Sequence, residues 1–91
     1  MTEIEIIAME TREKVRTFII DNFLFGDANG LENETSLLDE GIIDSTGVLE
    51  LISYLEDHFK IQIEDNDIIP ENLDSIDQVV AFLKRKMSME V

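Results

Sequence analysis

Gly41-Ile42-Ile43-Asp44-Ser45-Thr46-Gly47-Val48-Leu49-Glu50-Leu51 is the stretch whose reading decides the fold. A loop ends at Asp44 and an amphipathic helix begins at Ser45. From there Val48, Leu51, Ile52, Leu55 and Phe59 recur with the three-and-four spacing of one buried helix face. The pattern predicts a helix from about Ser45 to Phe59, with Asp44 as its N-cap. Ser45 then lies in the first turn, its hydroxyl in solvent beside unpaired backbone N–H groups and the positive end of the helix dipole. Such a position tolerates a phosphate well. On a wheel of about 100° per residue, Thr46, Glu50, Ser53 and Asp57 gather opposite the buried stripe, with Leu49 and Glu56 on its shoulder. The result is an exposed acidic strip with an apolar contact point. Gly47 costs this helix up to about 1 kcal/mol relative to alanine, which fits either a close approach of another element or a tolerated imperfection.

N-terminal to this stretch, Thr2 and Glu5 have the spacing of a capping box, and Ile4, Ile7, Ala8, Val15, Phe18 and Ile19 share one helical face. A first helix is predicted from near Glu3 to Leu24, stopped by Gly26. Thr11 offers a second start, and Ile6, Met9 and Ile20 lie off the stripe. The connection from Gly26 to Asp44 is long and polar, and loops of that length are usually functional or pinned to a core. Within it Ser36 can cap a single turn over Leu37, Leu38, Asp39 and Glu40 that Gly41 ends, and Leu37 and Ile42 are expected to plug into the bundle.

C-terminal to the second helix, Ile61 and Ile63 alternate over too few positions for a sheet. Asp65 to Ile69 is expected to form one short helix that Pro70 ends. Ser75 with Gln78 reads as a capping box opening a last helix. It places Ile76, Val79, Val80 and Leu83 inward and Lys84, Arg85 and Lys86 at the negative end of the dipole. The expectation is therefore an all-α fold, a small four-helix bundle with three main helices and a short third one. Its 91 residues form a single domain with a core of about 11–86, residues 1–10 a helical extension and 87–91 a frayed tail.

The charge balance narrows the choice of partners. Twenty-one acidic residues against seven basic ones give a net charge of −14. Nucleic acid is repelled by such a chain, and a protein with a basic patch is the natural partner. Between Thr17 and Phe59 there is no lysine or arginine, so the strongest negative field surrounds Ser45. Acidic surface also serves solubility alone. There is no cysteine, and hence neither disulfide nor thiolate metal site. No apolar run reaches the roughly 18 residues that suggest a membrane span, and Met1 to Glu5 lacks the basic start of a secretory signal. The expectation is a cytoplasmic monomer.

A serine nucleophile needs a base within hydrogen-bond reach. The single histidine, His58, lies on the same helix as Ser45, roughly 20 Å away at a rise of 1.5 Å per residue. Ser-His catalysis within the chain is thereby excluded, and no catalytic residue is assigned. A calcium loop fails on spacing: counted from Asp27, the fifth position is Leu31 and the sixth, where glycine is required, is Glu32. No metal ligand is assigned. Taken alone, a serine before a helix is most often just a cap.

Leu37-Leu38-Asp39-Glu40-Gly41-Ile42-Ile43-Asp44-Ser45, followed by Leu49-Glu50-Leu51 and Leu55-Glu56-Asp57-His58-Phe59, resembles the phosphopantetheine attachment region of acyl carrier proteins. The resemblance spans about residues 11–86. It implies a non-enzymatic carrier in which Ser45, flanked by Asp44, bears 4′-phosphopantetheine as a phosphodiester. A separate phosphopantetheinyl transferase would install it from coenzyme A, and its thiol would hold an acyl or amino-acyl group as a thioester. It further implies recognition through the second helix, which by position means Thr46, Leu49, Glu50, Glu56 and Asp57. The implied partners are that transferase, an acyl- or aminoacyl-activating ligase and downstream acyl-transfer enzymes with basic docking patches. Fatty-acid carriers usually have Leu and then an acidic residue after the serine, where Thr46 and Gly47 stand here. The run Asp44 to Leu51 is more similar to D-alanyl carrier proteins and free-standing carriers of specialised biosynthesis, so a D-alanyl or peptidyl carrier is an alternative to a fatty-acyl one. From another class, an acidic helical interaction module without a prosthetic group would use the same strip. Val48, Ile52, Leu55, Phe59, Val80 and Leu83 could close as a packed core or part around an acyl chain.

Overall fold

The computed structural model describes residues 3–28 and 30–88, without the side chains of residues 4–8 and 88. It holds four α-helices: α1 (Glu3–Phe23), α2 (Ser45–Phe59), α3 (Pro70–Leu73) and α4 (Ile76–Ser88), with one 3-10 turn at Asp65–Asp67 before α3. Among the described residues there is no strand. The all-α bundle of three long helices and one short one is as the sequence predicts.

Helix α1 is unbroken through Thr11, which is buried inside it rather than opening a helix. Val15 and Ile19 are fully buried, Phe18 and Ile20 pack at the core's edge, and Met9 stays about half exposed. Thr2 of the expected capping box, and Ile4, Ile6, Ile7 and Ala8 as side chains, lie outside the described residues. The helix stop takes two left-handed residues, Phe25 (φ 54°) and then Gly26 (φ 84°), with the Gly26 N–H reaching back to the Ile20 carbonyl at 3.0 Å. The turn thus begins one residue before the glycine.

The core gathers Val15, Ile19, Leu37, Leu51, Leu55, Ile76, Val79, Val80 and Leu83. Phe82 joins them, although it lies off the inward stripe expected for α4. Helices α1 and α4 pack together. Helix α2 meets α1 where the Tyr54 ring stacks on Phe18 at 4.1 Å and the Tyr54 hydroxyl donates to the Lys14 carbonyl at 3.3 Å; burial pushes the Tyr54 phenol upward.

The long connection is pinned more deeply than expected. Leu37 is buried as predicted, but Leu31 and Ile43 are its buried companions, and Ile42 is only half-buried. Arg16 binds this loop from α1, donating to the Asn33 side chain and the Leu31 carbonyl.

Pro70 does not end a helix; it begins one. Ile69 is extended (φ −132°, ψ 153°), as a residue before proline prefers, and Pro70 occupies the first position of α3. There its missing N–H has no intrahelical partner to lose. The expected Asp65–Ile69 helix shrinks to the single 3-10 turn. At α4 the Ser75 hydroxyl accepts the Gln78 N–H at 3.1 Å. Residues 89–91 of the expected tail lie outside the described residues, while Met87 packs against the core.

Candidate functional site

Ser45 is the first residue of α2, and it is exposed. Asp44 before it is extended (φ −101°, ψ −174°) and acts as the N-cap: Oδ1 accepts the Gly47 N–H at 2.7 Å, and its carbonyl accepts the Val48 N–H at 3.0 Å. With the cap aimed at Gly47, the Ser45 and Thr46 amides still have no carbonyl a turn behind them within the helix. The serine hydroxyl therefore stands at the positive end of a 15-residue helix.

The backbone leading into Ser45 is fixed by Asp74, which no motif in the sequence singles out. The Asp74 carboxylate accepts the Ser36 hydroxyl at 2.7 Å and the Leu38 N–H at 2.9 Å, and the Asp74 carbonyl accepts the Leu37 N–H at 2.7 Å. The Leu37 carbonyl in turn accepts the Ile42 and Ile43 N–H groups at 2.9 and 3.1 Å. Gly41, at φ 69°, makes the reversal between these bonds. Ser36 caps the turn as expected, its hydroxyl oxygen accepting the Asp39 N–H at 3.2 Å.

Ser45 also stands at the mouth of an apolar cleft of about 330 Å³. One side is Leu37, Leu38, Ile43, Val48 and Leu49; the other is Ile68, Ile69, Pro70 and Leu73. Its volume lies at the low end of small-ligand pockets, roughly 300–1,000 Å³. Of the six residues that the sequence offered as able to part around an acyl chain, Val48 alone lines this cleft; Ile52, Leu55, Val80 and Leu83 are closed core. The cleft's far wall escaped because it depends on Pro70 opening α3. The apolar Ile68-Ile69-Pro70 run was its signal.

Along α2, Thr46, Glu50, Ser53 and Asp57 are exposed, and Leu49 is 62% exposed. Glu56 differs from them: it is half-buried and its Oε2 accepts the Ile63 N–H at 2.9 Å, which ties the chain after α2 back to the helix. His58 is exposed and lies against the Tyr54 ring at 5.2 Å, on a ladder continuing to Phe18. Gly47 is buried, and a Cβ there would stand 2.9 Å from Phe23 Cε1 and 3.0 Å from Ile43 Cγ2. Of the two readings of that glycine, close approach is the one the packing supports.

Together these features set an exposed hydroxyl at a helix start, beside an apolar trough and an acidic helix face. No helix of the described residues is long and apolar enough to cross a membrane.

Residues 21–83 match the family model described as phosphopantetheine attachment site. The chain is 31% identical to the probable acyl carrier protein PigG of a Serratia species, covering 79% of this chain and 83% of that one. It is 32% identical to the acyl carrier protein of Helicobacter hepaticus (84% and 96% covered) and 37% identical to that of Streptococcus thermophilus (86% and 97% covered). In three dimensions it resembles a chain from the crystal structure of FAD-dependent dehydrogenase, with a TM-score of 0.69, 28% identity, and coverage of 76% of this chain and 97% of that one.

Proposed function

Since the chain belongs to the acyl carrier proteins, which are carriers rather than enzymes and bear a covalent 4′-phosphopantetheine, we propose that Ser45 is its attachment residue. The observation that carries this is the exposed Ser45 hydroxyl at the start of α2, set by the Asp44 cap and by the loop that Asp74 holds. When attached, phosphopantetheine supplies a thiol that holds an acyl group as a thioester. Ser45 contributes position and the oxygen of the phosphodiester. The helix dipole favours the negative phosphate, and Asp44, by capping through Gly47, leaves the first amides facing it.

The exposed strip of Thr46, Leu49, Glu50 and Asp57, with Glu56 at its edge, presents the site to enzymes bearing basic patches. These are the phosphopantetheinyl transferase, an activating ligase and the acyl-transfer enzymes that follow. Leu49 supplies the apolar contact within an acidic field. The cleft beside Ser45 receives the hydrocarbon part of the cargo, which favours an acyl group with an aliphatic portion over D-alanine. Thr46, exposed on the face beside Ser45, supports a carrier dedicated to one pathway.

Incubation with coenzyme A and a broad-specificity phosphopantetheinyl transferase is expected to add one phosphopantetheinyl group to the intact mass, and Ser45→Ala to abolish the gain. A gain that survives in the alanine variant, or none in the unaltered chain, would overturn the assignment.

A further inference from the structure

The two sides of the cleft are built very differently. On one side stand α2 and the loop pinned by Asp74; on the other, Ile68, Ile69, Pro70 and Leu73 belong to a segment whose regular structure is one 3-10 turn and a four-residue helix. Elements that short have no stability of their own. Their place is set by what ties them down.

At its C-terminal end the segment is tied to the loop by Asp74; before that, its ties come from the end of α4. Lys86 Nζ lies 2.7 Å from Asp67 Oδ2, and that same oxygen accepts the Glu64 N–H at 3.0 Å. Arg85 Nη2 donates to Asn72 Oδ1 at 2.7 Å, while Asn72 Nδ2 donates to the Asp67 carbonyl at 2.9 Å. Asn72 is itself buried, so it pins the 3-10 turn to α3 and both to Arg85. The buried Phe82 ring lies under both cations, 6.0 Å from the Arg85 guanidinium and 5.9 Å from Lys86 Nζ. Toward the cleft, Ile68, Ile69 and Pro70 present an apolar surface, and the polar bonds across to the loop come only after Leu73, from Asp74. Ile68 and Ile69 remain 37% and 41% exposed there.

We propose that the Lys86–Asp67 and Arg85–Asn72 contacts are a latch that sets the width of the cleft beside Ser45, and with it the length of acyl chain the protein shelters. Lys86 and Arg85 are positioning residues, since they touch the wall and not the cargo. The inference rests on the reading of the cleft as the seat of the acyl group. The Ile68–Pro70 part of the wall, partly exposed and next to these contacts, yields to a longer chain once they are weakened, whereas the Leu73 end, buried in the core and followed by the Asp74 bonds, does not.

The test uses the full chain. Amide hydrogen exchange over residues 68–73 is measured before loading; the phosphopantetheinylated protein is then loaded with straight-chain acyl groups of increasing length, and amide shifts of the same residues are followed. Arg85→Gln/Lys86→Gln is expected to speed exchange there several-fold and to move the length at which the shifts stop growing to longer chains. Arg85→Lys/Lys86→Arg is expected to recover part of both effects. Lys84→Gln removes a neighbouring exposed cation and is expected to leave both readouts unchanged.

Unchanged exchange in the double variant, faster exchange with an unchanged length limit, or an equal effect from Lys84→Gln would each overturn the latch. If no acyl group moves the 68–73 amides in the unaltered protein, the reading of the cleft fails and the sizing role fails with it, an outcome the exchange data keep distinct. Should the double variant not fold, the single variants Arg85→Gln and Lys86→Gln are read by the same criteria.

Discussion

An alanine at position 47 would gain about 1 kcal/mol of helix propensity, yet its Cβ would stand 2.9 Å from Phe23 Cε1 and 3.0 Å from Ile43 Cγ2. Ile43 is buried and cannot give way, and Phe23 is held edge-on to Phe18 at 5.9 Å. Overpacking of this kind costs about 1–3 kcal/mol, so Gly47→Ala is expected to lower stability in urea by about 1 kcal/mol net, the reverse of the propensity change. The glycine after Thr46 thus answers to Phe23, and it bears on cargo less directly than its departure from the fatty-acid pattern suggests. Asp44 works in the opposite sense. Its cap bond of 2.7 Å to the Gly47 N–H needs only an oxygen acceptor, so Asp44→Asn should preserve stability. Asp44→Ala should lose about 1 kcal/mol, both measured by the same urea titration. Neither effect needs the prosthetic group, and the unmodified chain suffices for both.

Within α2 the acidic face divides into two kinds of carboxylate. Glu50 and Asp57 stand in solvent, whereas Glu56 accepts the Ile63 N–H at 2.9 Å. Glu56→Ala is expected to destabilise the fold by about 1–2 kcal/mol because it leaves that amide unpaired, while Glu56→Gln keeps an acceptor and should alter partner binding alone; Glu50→Gln and Asp57→Asn should likewise leave the urea midpoint in place. At the 3-10 turn, the Lys86 hydrogen bond, and after it the Glu64 N–H, hold the Asp67 carboxyl below the usual carboxylate range, with the Arg85 charge adding to the effect. A carboxyl lowered on folding adds stability that is complete above its ordinary value and is lost as pH falls from there through the lowered one. NMR titration should show Asp67 moving back toward the ordinary range in Lys86→Gln. The same segment shows what a sequence conceals. Helix α2 is legible to both ends because its apolar period, its N-cap and its length agree, and with it the place of Ser45 as the first helical residue. The far wall of the cleft is not. Proline both opens and closes helices, and the short α3 that Pro70 opens is bonded through Asn72 to Arg85, 13 positions further along the chain, a contact that no local pattern announces. Asp74 is hidden for the same reason, since its bond to Ser36 spans 38 positions.

At the scale of the whole molecule, a net charge of −14 acts on stability and on recognition with opposite signs of salt dependence. Like charges crowded on a small surface repel one another and weaken the compact state. Such repulsion is visible at Glu32, whose carboxyl is held above its ordinary range by its hydrogen bond to Glu34 and by that neighbour's charge. Few cations offset it: Arg12 pairs with Asp77 at 3.4 Å and Lys86 with Asp67 at 2.7 Å, while the stretch from Phe18 to His58, which contains Ser45 and the acidic face of α2, has no lysine or arginine. At a Debye length of about 8 Å in physiological salt, shrinking to about 3 Å at 1 M, added salt screens the long-range repulsion before it screens contacts at hydrogen-bond distance. The thermal midpoint of the unmodified chain is therefore expected to rise as sodium chloride is raised from a dilute buffer. Docking to a basic patch responds the other way, because the attraction between α2 and its partner is itself long-ranged and exposed. Transfer of phosphopantetheine to Ser45 should accordingly slow with salt, through the substrate concentration for half-maximal rate, over the range in which the chain becomes harder to melt. Measuring both on one salt series separates the roles of the charge: if melting and transfer fall together, the acidic surface is serving the fold, and α2 is not a docking face.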